Sequence, residues 1–304
     1  MNRRHGSTWL LAGAVALALA AAACGGTGGG PSSKGNITVA GFDFPESSIL
    51  AELYAQTLEH DGYTIKRKLR LGKREVVGPA IKSGQIDLYP GYAATDLEYY
   101  NSAAGEASGD VNATAQKLNS RLQPLGLEAL TPSAAVDQNA FAVTKATADK
   151  YKLTKLSDLA PIGGQLVLGA GPECPKRPFC QPGLEKTYGI HFKAFKALDT
   201  DGPATRAAFA NGTIQVGLVF SSDADLNKLG LVVLQDDKHL ENADNVIPII
   251  RQKVATDGVK NDLNKVSAGL TTAELITLNG QVALNHQDPD AVARAFLQQH
   301  NYFS

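Results

Sequence analysis

Residues 9–23 form an apolar run of 15 residues without a charge, and beyond it short apolar segments alternate with amphipathic ones. A membrane-spanning helix takes about 20 residues, so the first run, preceded by Arg3 and Arg4, reads as the hydrophobic part of an export signal. Residues 37–40 then predict a strand ending at Gly41. Pro45 suits the first turn of a helix, and Ile49, Leu50, Leu53 and Leu58 continue it at helical spacing to about Glu59. Asp61-Gly62 makes a turn. Residues 63–69 predict a second strand, 75–82 a second helix and 86–88 a third, short strand. Residues 101–112 are small and polar and predict a surface loop. In the second half, residues 166–168 and 214–219 predict strands, and 184–188 and 204–210 predict helices. This alternation predicts an α/β fold with parallel sheets covered by helices.

Two of these segments echo each other. Ala80-Ile81-Lys82-Ser83-Gly84-Gln85-Ile86-Asp87-Leu88 parallels Ala208-Phe209-Ala210-Asn211-Gly212-Thr213-Ile214-Gln215-Val216. Each is a helix end, a small polar residue, a glycine suited to a C-cap and a short strand. Eight residues after each glycine stands an aromatic, Tyr92 and Phe220, followed by hydroxyl residues, Thr95 in one case and Ser221-Ser222 in the other. Ligands of open α/β sheets bind outside the carboxyl ends of the strands. Two related halves that each present an aromatic there would line a cleft from both sides; chance likeness between two ordinary helix-to-strand joins is the competing reading.

Composition narrows the class. The 304 residues carry 29 basic and 30 acidic side chains, a net charge of −1, with 43% apolar and 19% charged residues. This is a globular composition, without the basic excess of a nucleic-acid binder. The leader ends in Ala21-Ala22-Ala23-Cys24. Small residues before a cysteine match the site at which a bacterial lipoprotein is cleaved and its cysteine lipidated, with Ala21 where leucine is usual. Ordinary cleavage that leaves a free Cys24 is the other reading. Residues 25–33 are a flexible Gly/Ser tether; neither the Lys-Ser/Thr pair nor the strand–helix context of a phosphate-binding loop follows. Without the 23-residue leader and its two arginines, 281 residues and a net charge of −3 remain.

Cys174 and Cys180 lie in a proline-rich stretch, 173–182. In the oxidising compartment of an exported protein, two such thiols are expected to pair. Half of a zinc site is the alternative, but neither a second cysteine pair nor a nearby histidine is there to complete it. The chain has no G-x-S-x-G, H-E-x-x-H, Walker A or strand-following G-x-G-x-x-G motif. His60, His191, His239, His286 and His300 are scattered. A binding protein without cofactor or metal is expected rather than an enzyme.

Gly41-Phe42-Asp43-Phe44-Pro45-Glu46-Ser47-Ser48-Ile49-Leu50 resembles the opening of the OpuAC-type (ProX-type) glycine betaine/choline/proline-binding proteins, the extracytoplasmic parts of osmoprotectant ABC importers. Ile86-Asp87-Leu88-Tyr89-Pro90-Gly91-Tyr92-Ala93-Ala94-Thr95 is similar to that family's I-D-L-Y-P-E-Y-T-G-T. Asn139-Ala140-Phe141-Ala142-Val143, Pro182-Gly183-Leu184-Glu185-Lys186-Thr187-Tyr188-Gly189 and Val233-Leu234-Gln235-Asp236-Asp237-Lys238-His239 extend the likeness from Ile37 to the C-terminus.

The resemblance implies a two-lobed periplasmic-binding-protein fold of type II, each lobe a mostly parallel sheet flanked by helices. Residues 36–136 with 229–304 would form one lobe and 137–228 the other. The chain would cross at about 137–141 and return at about 222–231, after a signal peptide at 1–23 and a lipidated tether at 24–35. It implies a small-molecule solute as ligand, an ABC permease with a cytoplasmic ATPase as partner, and a monomer held by lipid at the outer face of the cell membrane. It further implies an aromatic cage for a quaternary ammonium, carried here by Tyr92, Phe141 and Phe220, with Thr95 toward the ligand's carboxylate. Ser47 stands where the family often has Gln. Phe44, Asn139 and Ser221 complete the expected ligand set.

One position departs from the family. The remaining cage Tyr aligns with Arg206. A guanidinium about 4 Å from a trimethylammonium would cost on the order of 4 kcal/mol at an effective dielectric near 20. Arg206 therefore turns to solvent, or pairs with the carboxylate of a zwitterion, or marks a different ligand. A flat, hydroxylated aromatic compound would suit an arginine that stacks on rings and hydrogen-bonds oxygen.

Overall fold

A computed structural model describes residues 33–199 and 202–303. The export signal, Cys24 and most of the tether lie outside the described residues. The first half of the chain forms β1 (Asn36–Phe42), α1 (Pro45–His60), β2 (Thr64–Gly72), α2 (Arg74–Lys82), β3 (Leu88–Tyr92), α3 (Ala93–Tyr100), α4 (Val111–Leu122) and β4 (Leu127–Ala129). There follow β5 (Asn139–Thr144), α5 (Lys145–Tyr151), β6 (Val167–Ala170), α6 (Gln181–Gly183, running on as a π-helical turn Leu184–Tyr188), β7 (Ala194–Ala197), α7 (Pro203–Ala210), β8 (Val216–Phe220) and β9 (Leu231–Val233). The chain ends in β10 (Val246–Arg251), α8 (Asp257–Gly269), α9 (Thr272–Ala283) and α10 (Pro289–Gln299).

Two five-stranded sheets result, in the orders β2-β1-β3-β10-β4 and β7-β6-β8-β5-β9. In each, the first three strands are parallel, while β10 in one sheet and β5 in the other run against both their neighbours. The reversed strand is the first one laid down after each crossing between lobes. The pairing of β9 with β5 keeps residues 231–233 in the second sheet. The return therefore follows Val233, later than the 222–231 expected from the resemblance. The two crossing segments, 130–138 and 234–245, touch: Val136 bridges Asn245, and Asp137 N donates to Asp244 O at 3.1 Å.

The echo is structural. Gly84 and Gly212, at φ +78° and +73°, follow α2 and α7 in the left-handed conformation that glycine adopts freely. Each leads into the third strand of its sheet, β3 or β8. Tyr92 and Phe220 are the last residues of those strands.

Some boundaries differ from the pattern-based expectation. β3 is five residues, all buried, beginning where the expected strand ends. Asp87 instead serves the join, accepting from Thr38 N at 2.9 Å and pairing with Arg251 at 2.9 Å. The loop expected over 101–112 gives way to α4 at Val111, because Asp110 Oδ1 accepts from Asn112 N and Ala113 N and caps the helix. α1 is buried from Glu46 to Leu58. It packs on β1 and β2 and is covered by α8, α9 and α10. Two of its buried polar side chains reach neighbouring elements: Gln56 Nε2 donates to Asp290 O at 2.9 Å, and Glu52 pairs with Arg67 at 2.8 Å. Cys174 and Cys180 are joined as a disulfide, with their Cα atoms 5.2 Å apart.

Candidate ligand-binding cleft

A cavity of about 340 Å3 lies between the lobes, outside the ends of β3 and β8. Its aromatic wall starts where β1 meets α1. Phe42 and Phe44 stack with centroids 5.9 Å apart, and Tyr92 lies 6.4 Å from Phe42 and 6.2 Å from Phe44. Phe220 of the second lobe approaches Phe44 to 5.4 Å. The wall is thus assembled from both halves of the chain.

Behind these rings is a buried polar network. Tyr92 Oη donates to Glu46 Oε1 at 2.6 Å. Asn279 Nδ2 donates to Glu46 Oε2 at 2.6 Å. Ser222 Oγ lies 2.5 Å from Glu46 Oε2 and 2.8 Å from Asp137 Oδ1. A serine hydroxyl has one proton and cannot donate to both carboxyls at once, so the arrangement is complete when one of them carries a proton. Burial pushes both carboxyls above the ordinary range, and for Asp137 the charge of Glu46 adds to it. Glu46 belongs to the first lobe and Ser222 to the second, so the network also ties the lobes together.

On another side Thr95 N donates to Asp244 Oδ1 at 2.8 Å, and Thr95 Oγ1 bonds Asp244 Oδ2. Burial pushes the Asp244 carboxyl up to about 6, against the hydrogen bonds from Thr95. Ion pairs cross between the lobes at the cavity: Arg177 with Glu75 at 3.0 Å, and Lys73 with Glu173 at 3.9 Å. The disulfide-closed stretch supplies Cys174, Arg177, Phe179 and Cys180 to the lining.

The structure brings Phe44, Tyr92, Thr95, Asn139 and Phe220 to this cavity. Asn139 Nδ2 is held by Phe179 O at 2.8 Å. Phe141, Ser47, Arg206 and Ser221 do not border it. Phe141 points the same way along β5 as Asn139 but sits two residues deeper and is 1% exposed in the second-lobe core. Ser47 is fully buried, its Oγ accepting from Phe42 N at 2.8 Å. Arg206 on α7 pairs with Asp225. Ser221 Oγ accepts from Gln138 N at 2.8 Å, and its neighbour Ser222 enters the network instead. Sequence reasoning missed Phe42, Arg74, Asp137, Arg177 and Asp244 in the lining, and Glu46 behind it. An acid two residues ahead of an apolar strand, as Asp137 is before β5, is the local signal for it. Among the described residues no group of three or more His, Cys, Asp or Glu side chains is placed to hold a metal.

Known proteins share this architecture. Residues 35–299 match the family model described as the substrate-binding domain of ABC-type glycine betaine transport systems. The glycine betaine-binding protein YehZ of Escherichia coli is 29% identical over 267 residues, 84% of this chain and 87% of that one. The carnitine transport binding protein OpuCC of Listeria monocytogenes is 26% identical over 292 residues, 92% of each. A crystal structure titled as a glycine betaine/carnitine/choline ABC transporter covers 88% of this chain and 100% of its own at a TM-score of 0.68 and 24% identity, which is a likeness of fold. Family members are transport substrate-binding proteins of the type II periplasmic fold. The chain belongs to the substrate-binding domain family of ABC-type glycine betaine transport systems.

Proposed function

We propose that this protein is the extracytoplasmic solute-binding subunit of an ABC importer and captures a quaternary-ammonium or zwitterionic compatible solute of the glycine betaine, carnitine, choline or proline type. The observation that carries this reading is the aromatic wall of Phe44, Tyr92 and Phe220, drawn from both lobes around one small cavity. Ring faces attract a cation by about 0.5–1 kcal/mol each when exposed and about 2 kcal/mol or more when desolvated. Only with both lobes in place is a cation enclosed by rings, so binding and lobe closure go together. The reading as a receptor for hydroxylated aromatics rested on Arg206 in the cleft; its pairing with Asp225 away from the cavity removes that ground.

Delivery is to a permease driven by a cytoplasmic ATPase. Lipid on Cys24 and the tether that follows would hold a monomer at the outer face of the membrane; no helix among the described residues is long and apolar enough to cross it. Thr95, Asn139 and the carboxyl network serve as the polar side of the ligand site.

Calorimetric titration with glycine betaine, carnitine, choline and proline tests the ligand class. Saturable binding of at least one quaternary amine is expected, with a matching rise in thermal stability: at 100 times Kd the ligand adds about 2.7 kcal/mol. No response to any of them would overturn the reading.

A further inference from the structure

Arg74 opens α2 and is 6% exposed. Its Nε donates to Asp96 Oδ1 at 2.8 Å and its Nη2 to Asp96 Oδ2 at 3.4 Å. Asp96 is itself fully buried and held by Tyr89 Oη at 3.1 Å and Tyr92 N at 2.8 Å. The guanidinium carbon lies 4.7 Å from the centroid of the Phe42 ring. One edge of the guanidinium is therefore clamped by a carboxylate and one face by an aromatic ring, which leaves little freedom to turn away.

Among the described residues Nη1 has no hydrogen-bond partner, and Arg74 borders the cavity. A guanidinium carries five N–H donors in a planar fork, so one whose Nε and Nη2 are engaged still has donors to offer a ligand oxygen. Arg177 of the opposite lobe borders the same cavity; burial and the charge of Arg74 together lower its pKa. Two guanidiniums that feel each other across a small space are relieved by an anion between them. Five acids also border the cavity: Asp137 accepts from Ser222 Oγ at 2.8 Å, and Glu173 lies 3.9 Å from Lys73. Glu98 accepts from Gly105 N and Ala107 N, both at 2.7 Å, Asp244 accepts from Thr95, and Glu75 pairs with Arg177.

We propose that Arg74 is a specificity-determining residue whose free edge receives an oxygen of an anionic group on the ligand. The cleft then selects a zwitterion over a cation that lacks such a group. The ligand's cationic end lies against Phe44, Tyr92 and Phe220, because the resident guanidinium already occupies a face of Phe42. This assignment rests on the ligand class proposed above and narrows it. A planar fork suits a carboxylate in a way that an ammonium does not.

The test is calorimetric titration of the protein and of its Arg74→Gln and Arg74→Lys variants with glycine betaine, which has a carboxylate, and choline, which has none. The unaltered protein is expected to bind glycine betaine at least tenfold more tightly than choline. Each variant is expected to lose at least tenfold in betaine affinity while choline stays within threefold. Arg74→Lys keeps a charge beside Asp96 and guards against misfolding of the Gln variant; circular dichroism and thermal melts verify both. Choline bound as tightly as betaine by the unaltered protein overturns the assignment, as does an unchanged betaine-to-choline ratio in a folded variant. If the unaltered protein binds neither compound, carnitine and proline, which also carry a carboxylate, replace betaine in the same comparison; if none of the four binds, the ligand class itself falls and the assignment with it.

Discussion

Tyr92 Oη donates a 2.6 Å hydrogen bond to Glu46 Oε1, so the ring that faces the cavity is anchored by a buried acid at the start of α1. The ring and the hydroxyl therefore do separable work. Tyr92→Phe keeps the ring and leaves Glu46 Oε1 without its donor, a loss of about 1–3 kcal/mol for a buried group. Urea unfolding at pH 7 should show that loss, with ligand affinity within threefold. Tyr92→Ala should weaken ligand binding at least tenfold. A Phe variant as stable as the unaltered protein would remove the network from the account of stability.

Asp244 links stability to pH. Its carboxyl is pushed from 3.8 up to about 6 in the folded protein, so between those values the folded state holds more proton than the unfolded one. Unfolding free energy from this group is highest below the unfolded pKa and falls as pH rises through the folded one. The fall is on the order of 3 kcal/mol. Glu46 and Asp137, raised by burial, act in the same direction. Asp244→Asn should flatten the decline between pH 4 and 6 in chemical denaturation and bring the variant's advantage out at pH 7. The same slope in both proteins would count against the assignment.

The Cys174–Cys180 ring spans six positions. Closing a ring of that size constrains the unfolded chain by about 2 kcal/mol on the loop-entropy model. Because the ring lines the cavity, the Cys174→Ser/Cys180→Ser variant should lose stability and ligand affinity together. Affinity unchanged in the folded double variant would show that the ring staples the lobe without shaping the site.

Gly91 has no room for a side chain. A Cβ there would stand 2.6 Å from both Asp96 Oδ2 and Ile249 Cδ1. Gly91→Ala should cost about 1–3 kcal/mol through overpacking, lowering Tm by several degrees at about 2–4 °C per kcal/mol for a chain of this size. An unchanged Tm would mean that Asp96 can shift without penalty.

The features legible in the sequence were those set by local pattern. Gly84 and Gly212 announce two equivalent helix-to-strand joins, and the aromatics eight residues later end equivalent strands at the cleft. Phe141 was misplaced because a period of two fixes the face of a strand but not the depth along it; Asn139, on the same face, reaches the cavity. The family resemblance points to the arginine on α7, and the one with a free edge lies on α2. Arg206 and Arg74 are told apart by Asp225 and Asp96, 19 and 22 residues away, and only the fold shows which acid each one meets. Glu46, in a motif quoted for its aromatics, becomes the centre of the polar network once the fold sets Ser222 and Asn279 around it.

The two segments that join the lobes touch at Asp137 and Asp244, and both acids also border the cavity. The lining of the pocket thereby includes the point where the two joining segments meet. A substitution there that changes the fit to a ligand is expected to change the resistance to opening at the same stroke, coupling how tightly a solute is held to how fast it is handed on. Selection for a scarcer solute would have to work through the walls, Phe44, Tyr92 and Phe220, if release to the transporter is to keep its pace.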